Sequence, residues 1–404
     1  MESTLSSITG PIRTGGDMKI TDIRVHIMSV PGSDGKTVRR NWTFVEVLTD
    51  EGITGIGEAT TEYHEMAVKA QIETELKPRL LGMDPTEVEK IWQLGYRDFW
   101  WRRGVVYTSA LSGIDQALWD ISGKAYGQPV FKLLGRKVRD RVRCYARADL
   151  GFGTIEEHAA QALQEGFDAF RMGFGEETRP FDVERQVEVA VEEMTKYRRA
   201  FGPEVDLMID CAGLFSFQAA CKLVEGLRPL KVFFVEEPLE QGTVEPYLRL
   251  KERFPDVRIA AGERWITRWD CREWFERQAI DVCQVDLCRT GGISELMRIA
   301  HFAEVYGIYM ASHNPYGPVA TAAAAHAAAA MQNFLILEHC RLRPWFERVQ
   351  RLALPISGGY VDVDELARRP GLGVELDMEV VRSHPHRPLP ARRHVMKDGA
   401  TFLY

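Results

Sequence analysis

One pattern is repeated eight times in the second half of the chain, and this repeat restricts the possible fold more than any other feature. Each unit is a short apolar run, closed by a polar or glycine residue and followed by an amphipathic helical stretch. The closing residues lie 23 to 37 positions apart: Arg147, Gly173, Asp210, Glu236, Glu263, Asp286, His313 and Glu338. Continuous apolar runs are typical of buried parallel strands. Eight such units predict an α/β fold, a modified (β/α)8 barrel.

The residues before the repeat have a different pattern. Strand-like alternation occupies Lys19–Ser29 and Trp42–Leu48, and a glycine-bearing loop is expected between them at Pro31–Asn41. Helical spacing of apolar residues follows, up to about Tyr126. Strands followed by helices predict an α+β unit beside the barrel.

Four segments follow from these patterns. Residues 1–17, rich in Ser, Thr and Gly, are expected to form a disordered leader and not a signal peptide. Residues 18–140 are expected to form a capping domain, and 141–345 the barrel. The Gly- and Pro-containing tail, 346–404, is expected to pack back on the capping domain and complete it.

Composition excludes several classes of partner. The chain has 404 residues with 51 Lys and Arg against 58 Asp and Glu, a net charge of -7, which argues against a nucleic-acid partner or an anionic membrane surface. No apolar stretch approaches the roughly 20 residues of a membrane span. The seven cysteines form no CxxC pair and are expected to be free thiols in a reducing compartment, so the cytoplasm is the expected location.

Three acidic residues close neighbouring runs of the repeat. Asp210, Glu236 and Glu263, here called the acidic trio, follow the third, fourth and fifth predicted strands. The carboxyl ends of parallel barrel strands share one mouth, where three carboxylates would repel one another unless a cation lay between them. An all-oxygen ligand set without His or Cys suits Mg²⁺ better than Zn²⁺. The trio is therefore predicted to bind magnesium.

The next strand ends supply a candidate base. Asp286 closes the sixth run and His313 the seventh, so a buried aspartate is expected to orient the imidazole and raise its basicity. Glu338 closes the eighth run and, if protonated, would donate a hydrogen bond to a developing oxyanion. A base beside a divalent cation suits removal of a proton from carbon next to a carboxylate, because the cation neutralises the enediolate.

These residues resemble the enolase superfamily and, within it, the mandelate racemase subgroup. The likeness extends over nearly the whole chain from Met18, and includes SALSGIDQALWDISGKAYGQPV (109–130) and PGLGVEL (370–376). Within the subgroup the chain is most similar to the D-galactonate dehydratases and other sugar-acid dehydratases, through GFDAFRMG, AAGER, TGGISE, SHNPYGP and RRHVMKDG. The resemblance implies that the acidic trio holds the metal, that Asp286 and His313 form the dyad of the subgroup, and that the protein is a homo-oligomer.

Two positions depart from the patterns of these relatives. Racemases of the subgroup carry a Lys-x-Lys pair where this chain has Arg171 and Gly173, and an arginine is a poor base because it stays protonated. Galactonate dehydratases place a histidine acid where this chain has Ala212. A single base, His313, can both remove the C2 proton and return it to the leaving C3 hydroxyl in a syn elimination. A metal-bound water or Tyr145 is the alternative acid.

The prediction is a Mg²⁺-dependent dehydration of a sugar acid, an aldonate such as galactonate or a relative, to the 2-keto-3-deoxy acid. The substrate is expected to meet Arg171 and two capping elements, the loop with Arg39 and the segment with Trp101 and Arg102. Two alternatives remain open at this stage. One is an acid-sugar epimerase or cycloisomerase, and the other is a non-catalytic homologue that binds a metabolite.

Overall fold

The structure is a computed structural model, and it describes residues 18–32, 34–97, 100–147, 154–173, 183–340 and 344–389. The expected leader at 1–17 and the RRHVMKDG stretch lie outside the described residues.

The strands, in chain order, are β1 (Ile20–Pro31), β2 (Val38–Thr49), β3 (Thr54–Glu58), β4 (Arg141–Arg147), β5 (Ala169–Gly173), β6 (Asp206–Asp210), β7 (Phe234–Glu236), β8 (Ile259–Ala261), β9 (Val282–Cys283), β10 (Tyr309–Met310), β11 (Leu337–His339), β12 (Gln350–Leu352), β13 (Ile356–Ser357), β14 (Tyr360–Asp362) and β15 (Glu375–Leu376).

The helices are α1 (Glu65–Ala70), α2 (Lys77–Leu80), α3 (Val88–Arg97), α4 (Val105–Ala125), α5 (Val130–Leu133), α6 (Ile155–Gln164), α7 (Val183–Phe201), α8 (Phe217–Leu227), α9 (Glu245–Arg253), α10 (Arg268–Glu276), α11 (Gly292–Val305), α12 (Pro318–Ala330), α13 (Trp345–Arg348), α14 (Val363–Leu366) and α15 (Met378–Ser383). A π-helical stretch, Gln71–Leu76, joins α1 to α2, and a 3₁₀ turn, Arg228–Leu230, follows α8.

The first sheet is an antiparallel meander in the order β1, β2, β3. The prediction of a loop over Pro31–Asn41 is wrong in extent, because the ladder between β1 and β2 continues to the pair Pro31↔Val38. The turn that remains is closed by Asp34, whose Oδ1 accepts hydrogen bonds from the backbone N–H groups of Lys36 and Thr37, both at 2.9 Å. Cross-strand pairing therefore places Arg39 and Arg40 on a strand.

The predicted repeat is confirmed, since each of the eight runs contains a strand of one parallel array. Neighbours pair in the order β4 to β10, and β11 pairs with β4. A parallel bridge between Met310 and Phe334 joins β10 to the residues just before β11. The array is the (β/α)8 barrel expected from the repeat. Its interior is a cluster with one buried residue from each run: Tyr145, Ala169, Met208, Phe234, Ala260, Val282, Ala311 and Ile336.

Two buried carboxylates anchor β3 and α4 to helices of the barrel. Glu58, at the end of β3, accepts hydrogen bonds from the backbone N–H groups of Gly317 (2.9 Å) and Ala320 (3.0 Å) at the start of α12. Asp115, in α4, accepts one from the backbone N–H of Ser294 (3.0 Å) at the start of α11. Negative groups are stabilising at helix N-termini. Burial raises the pKa of both carboxyl groups to about 7.

The C-terminal part of the chain contacts both units. β14 runs antiparallel to β4, with Val361 opposite Val142. On the capping side, the N–H of Leu372 donates to Asp120 Oδ1 (2.8 Å) in α4. The seven cysteines are all buried and unpaired. Among the helices of the described ranges, none is long and apolar enough to cross a lipid bilayer.

Candidate active site

The acidic trio lies at the carboxyl ends of three consecutive strands. Asp210 and Glu236 are the last residues of β6 and β7 and are directly opposite each other in the parallel register. Glu263 follows β8 by two residues, after Gly262, whose φ of +135° turns the chain. The strand spacing thus puts the three carboxylates at one mouth, as the repeat predicted.

A buried guanidinium holds two members of this trio. Arg171 Nη1, from β5, donates to Asp210 Oδ2 at 2.6 Å and to Glu236 Oε1 at 2.7 Å. Its Nη2 donates to Glu338 Oε1 at 2.9 Å. Only 2% of the Arg171 side chain is exposed, so these are charge-assisted hydrogen bonds shielded from water. Arg171 therefore links the ends of β6, β7 and β11.

The mutual repulsion of the carboxylates is visible in the pKa of Glu236. Burial raises this pKa to about 8, and Asp210, Glu338 and Glu263 add to the rise against the opposing charge of Arg171. Glu236 Oε2 is buried and has no hydrogen-bond partner. An unpaired carboxylate oxygen in an all-oxygen donor set is suited to a hard cation such as Mg²⁺.

In the structure, however, the three carboxylates of the trio are paired with positively charged side chains of the protein itself. Two of the trio pair with Arg171, and the third, Glu263, accepts from His313 Nε2 at 3.0 Å. Across the part of the chain that the structure describes, no group of three or more His, Cys, Asp or Glu side chains is placed to hold a metal ion. The donor set fits the cation, and binding it requires these carboxylates to exchange partners.

The predicted base and its aspartate are in contact. A parallel bridge pairs Asp286 with His313, and His313 Nδ1 lies 2.7 Å from Asp286 Oδ2. Burial alone would lower the pKa of His313, but Glu263, Glu338 and Asp286 raise it well above its ordinary value. For Glu263 the two effects are reversed. Burial alone would raise its pKa, but the positive charge of His313 lowers this pKa well below the usual range. In this arrangement Nε2 faces Glu263, one member of the acidic trio, and Nδ1 faces Asp286.

Glu338 is in the predicted place but in a different protonation state. Burial would raise its pKa, yet Arg171, His313 and Arg147 lower it to about 2. Its Oε1 accepts from Arg171 and from Arg147 Nη1 (3.3 Å), and its Oε2 accepts from the N–H of Asn314 (2.9 Å). These surroundings favour an ionised Glu338, whereas the expected hydrogen bond to an oxyanion needs the protonated form, and that role stays a prediction. An ionised Glu338 instead holds two guanidinium groups, which are themselves donors.

One of the four predicted substrate-binding residues, Arg171, is found among the carboxylates of the site. Arg171 is inside the site, with its donors directed at three carboxylates. Arg39 is half-buried in β2, outside the loop where it was expected. Trp101 is 93% exposed, and Arg102 lies with its guanidinium 5.9 Å from the ring centre of Tyr96. The structure shows no contact of Trp101 or Arg102 with the acidic trio.

The sequence analysis missed three residues that contact the site. Arg40, next to Arg39 and on the opposite face of the strand, donates through Nη1 to the carbonyl of Pro315. Arg147, noted only as a strand end, binds Glu338. Tyr316 donates its hydroxyl proton to Asp286 Oδ2 at 2.7 Å. The available signal was the SHNPYGP loop itself, which puts a phenol three residues after His313.

Ala212, at the position where a histidine acid was expected from the galactonate dehydratases, lies in a backbone turn. Ala212 has a φ of +50°, and its N–H donates to Asp210 Oδ1 at 2.9 Å. Its methyl group supplies no proton donor. Tyr145, the alternative acid, is fully buried in the cluster inside the barrel, and its hydroxyl has no hydrogen-bond partner. This placement favours His313 over Tyr145 as the group that meets a substrate.

The fold and the site define the class of protein. Residues 154–380 match the family described as enolase C-terminal domain-like, and residues 20–135 match the N-terminal domain of mandelate racemase and muconate lactonizing enzyme. The chain therefore belongs to the enolase superfamily, in its mandelate racemase subgroup. The expected resemblance is confirmed.

Individual members of this superfamily are similar to the chain over most of its length. The chain is 37% identical over 371 residues to the D-galactonate dehydratase of Ralstonia pickettii strain 12J, covering 89% of this chain and 95% of that protein. An Agrobacterium radiobacter enolase with bound sodium and L-malate has a TM-score of 0.86 and 29% identity, covering 95% of this chain and 99% of that one. A Pantoea ananatis enolase with bound D-gluconate and magnesium has a TM-score of 0.82 and 26% identity, covering 92% and 95%.

Proposed function

We propose that this protein is a hydro-lyase that converts a sugar acid, an aldonate such as galactonate or a relative, to its 2-keto-3-deoxy acid. The observation that carries the proposal is a His313–Asp286 pair whose imidazole contacts Glu263 of the acidic trio, in a chain 37% identical to a D-galactonate dehydratase. The sequence identity supports the reaction class, and the geometry supports these residues as the proposed catalytic groups.

His313 is the proposed base. In the neutral imidazole, which no longer donates to Glu263, Nε2 takes the proton from C2. Asp286 holds Nδ1–H, which leaves Nε2 as the atom that exchanges the proton. The electron pair of the C2–H bond forms the enediolate, and the C3–O bond then breaks. His313 returns its proton to the leaving hydroxyl, so one water is released. The resulting enol tautomerises to the 2-keto-3-deoxy acid.

Asp210, Glu236 and Glu263 are the proposed ligands of Mg²⁺, which when bound supplies the positive charge that stabilises the enediolate. Arg171 and Arg147, held by Glu338, are donors for the oxygens of the substrate carboxylate. To hold the cation, Asp210 and Glu236 would have to turn away from Nη1 of Arg171, whereas Glu338 is bound through Nη2. Nη1 would then be available to the substrate.

Arg39, Trp101 and Arg102 remain the proposed contacts of the sugar chain from the capping domain. Seven buried, unpaired cysteines support a reducing compartment, and we place the protein in the cytoplasm. The indoles of Trp100 and Trp101 are 95% and 93% exposed, an apolar surface that supports a closed homo-oligomer. Light scattering of the purified chain tests the oligomer directly.

The test is a screen of the purified protein with Mg²⁺ against a library of acid sugars, with semicarbazide to detect 2-keto acids. His313→Asn is run beside wild type, and His301→Asn, a change at an exposed histidine, is the matched control. We expect one or a few acids to be converted by wild type and by His301→Asn, and by His313→Asn at a rate at least 1,000-fold lower. Equal conversion by all three proteins would refute the role of His313.

The same reactions in D₂O separate dehydration from its alternatives. An epimerase would incorporate deuterium at C2 of unconverted acid without losing water, and a metabolite-binding homologue would bind without turnover. Epimerisation through two bases is disfavoured by the structure, since the second-strand position that would supply the other base carries Arg171, a permanently charged group.

A further inference from the structure

Tyr316 completes a three-residue hydrogen-bonded unit with the proposed base. Its hydroxyl donates to Asp286 Oδ2 at 2.7 Å, and His313 Nδ1 lies 2.7 Å from the same oxygen. The other oxygen, Asp286 Oδ1, accepts from the N–H of Cys288 at 2.8 Å. Tyr316 is 1% exposed and Asp286 is fully buried. Both oxygens of the carboxylate are thus fixed by donors that water does not reach.

We propose that Tyr316 is a positioning residue for the proton transfer: its hydroxyl fixes the carboxylate oxygen that orients His313. This inference rests on the proposed function, in which His313 is the base. Without the phenol, Asp286 would keep its hydrogen bonds with His313 and Cys288 and a looser ion pair with Arg289, whose Nε lies 3.5 Å from Oδ2. A carboxylate held in this way can tilt and carry the imidazole with it. A second donor on Oδ2 restricts this movement, so Nε2 stays directed at the mouth.

Packing between the aromatic rings of Tyr316 and His313 also restricts the orientation of the imidazole. The Tyr316 and His313 rings meet edge to face, with centroids 6.0 Å apart and planes at 88°. Replacing the phenol by a phenyl ring would keep this packing and remove only the donor. The contribution of the hydrogen bond is therefore separable from that of the packing.

Tyr316 is itself held by two cationic side chains. The guanidinium groups of Arg40 and Arg289 lie 5.6 and 5.7 Å from its ring centre. Arg40 comes from β2 in the capping domain, donates to the Pro315 carbonyl and pairs with Glu62 at 2.7 Å. The capping domain thus contacts the dyad through Tyr316 and the carbonyl next to it.

The test is Tyr316→Phe in the full chain, with Tyr309→Phe, a change at a surface tyrosine that is 46% exposed, as the matched control. On the sugar acid found by the screen, we expect kcat to fall 10- to 100-fold with KM within about twofold, since the change acts on the base and not on substrate binding. In an Asp286→Asn background the same substitution should have less than a twofold effect, because the oxygen it fixes no longer orients the imidazole.

A second readout needs no substrate. The hydrogen-bonded Nδ1–H proton of His313 should give a far-downfield proton resonance, assigned by its loss in His313→Asn. Tyr316→Phe should move this resonance, and Tyr309→Phe should leave it in place. If no acid sugar is converted even by wild type, the proposed function fails while this resonance still decides the role of Tyr316.

Three results would overturn the proposal. One is an unmoved resonance. Another is an unchanged kcat in Tyr316→Phe on a substrate that wild type converts, whatever the resonance does. The third is a full, multiplicative loss of kcat in the Asp286→Asn background, which would mean that Tyr316 acts independently of the dyad.

Discussion

A buried histidine outside the site offers the sharpest test of how this fold responds to acid. His326 lies in the alanine-rich helix α12 and is fully buried. Its Nδ1 accepts a hydrogen bond from the backbone N–H of Phe131 at 3.2 Å, which requires that nitrogen to be unprotonated. Burial lowers the pKa of His326 from 6.5 to about 4. The folded chain therefore resists a proton that the unfolded chain accepts.

The sign and size of the effect follow from linkage. Between pH 6.5 and pH 4 the unfolded state binds more protons at His326, so this residue makes the folded state less stable as the pH falls. The full contribution is about 3 kcal/mol, of which about 2 kcal/mol is lost between pH 8 and pH 5. Glu58 and Asp115, with pKa values raised to about 7, contribute slopes of the opposite sign. The contribution of His326 to the pH dependence of stability is therefore measured by comparing wild type with a variant that lacks this histidine.

The assay is urea unfolding of wild type and His326→Asn at pH 8 and pH 5. The amide oxygen of asparagine takes the place of Nδ1 as acceptor for Phe131, and it does not titrate. The variant leaves a small cavity, a loss of stability that is the same at both pH values. We expect the stability difference between the two proteins to shift by about 2 kcal/mol in favour of the variant at pH 5.

His301→Asn, at an exposed histidine, is the control and should follow wild type at both pH values. A difference between wild type and His326→Asn that is the same at pH 8 and pH 5 would show that His326 is protonated in the folded state. That result would refute the reasoning from burial.

Three further predictions concern the site and its anchors. Arg171→Gln, assayed with EDTA, should lower the free energy of unfolding by about 3–5 kcal/mol, because it leaves buried carboxylates without their cation. Added Mg²⁺ should then raise Tm more in this variant than in wild type, since the ion no longer competes with a guanidinium. Gly317→Ala should cost about 1–3 kcal/mol, because its Cβ would lie 2.8 Å from Glu58 Oε2. With His313 as both base and acid, acids whose C2 proton and C3 hydroxyl leave from the same face should be converted.

Each of these has a matched control or a contrary result. Arg272→Gln removes an exposed arginine and should leave both Tm and its Mg²⁺ response unchanged. Gly242→Ala adds a Cβ where no atom lies within 4 Å and should be neutral in urea unfolding. Efficient conversion of an acid that can react only by anti elimination, established by product NMR, would contradict the single-residue route.

The barrel could be predicted because its signal is local. Each apolar run has the length of a buried strand and is closed by a polar residue, so order and spacing alone indicate a ring. Neighbouring strand ends then have to be close, which is why the contact between Asp286 and His313 followed from their positions one unit apart. The register of parallel strands carried that inference, and no side-chain detail was needed.

The rest of the site depends on contacts between distant parts of the chain. Arg171 reaches carboxylates on three other strands, and its choice of partners is set by their combined charge and not by its own neighbours. The ionisation of Glu338 depends in turn on Arg171 and Arg147. The extent of β2 depended on pairing with β1, which local glycine content concealed. These properties depend on contacts between residues that are far apart in the sequence, so they cannot be predicted from the pattern of consecutive residues.

The anchoring of α12 by Glu58 has a consequence for how such proteins are assembled and diversified. The helix begins at Pro318, after Gly317, with no side-chain cap of its own. The carboxylate that accepts from the N–H of Gly317 lies 259 residues earlier in the chain. The acceptor has therefore already been synthesised when this helix leaves the ribosome. A barrel joined to a foreign capping domain would keep its strand-end carboxylates but lose the anchor behind the His313 loop. We therefore expect exchanged capping domains to be accepted best when they present an equivalent carboxylate at this point.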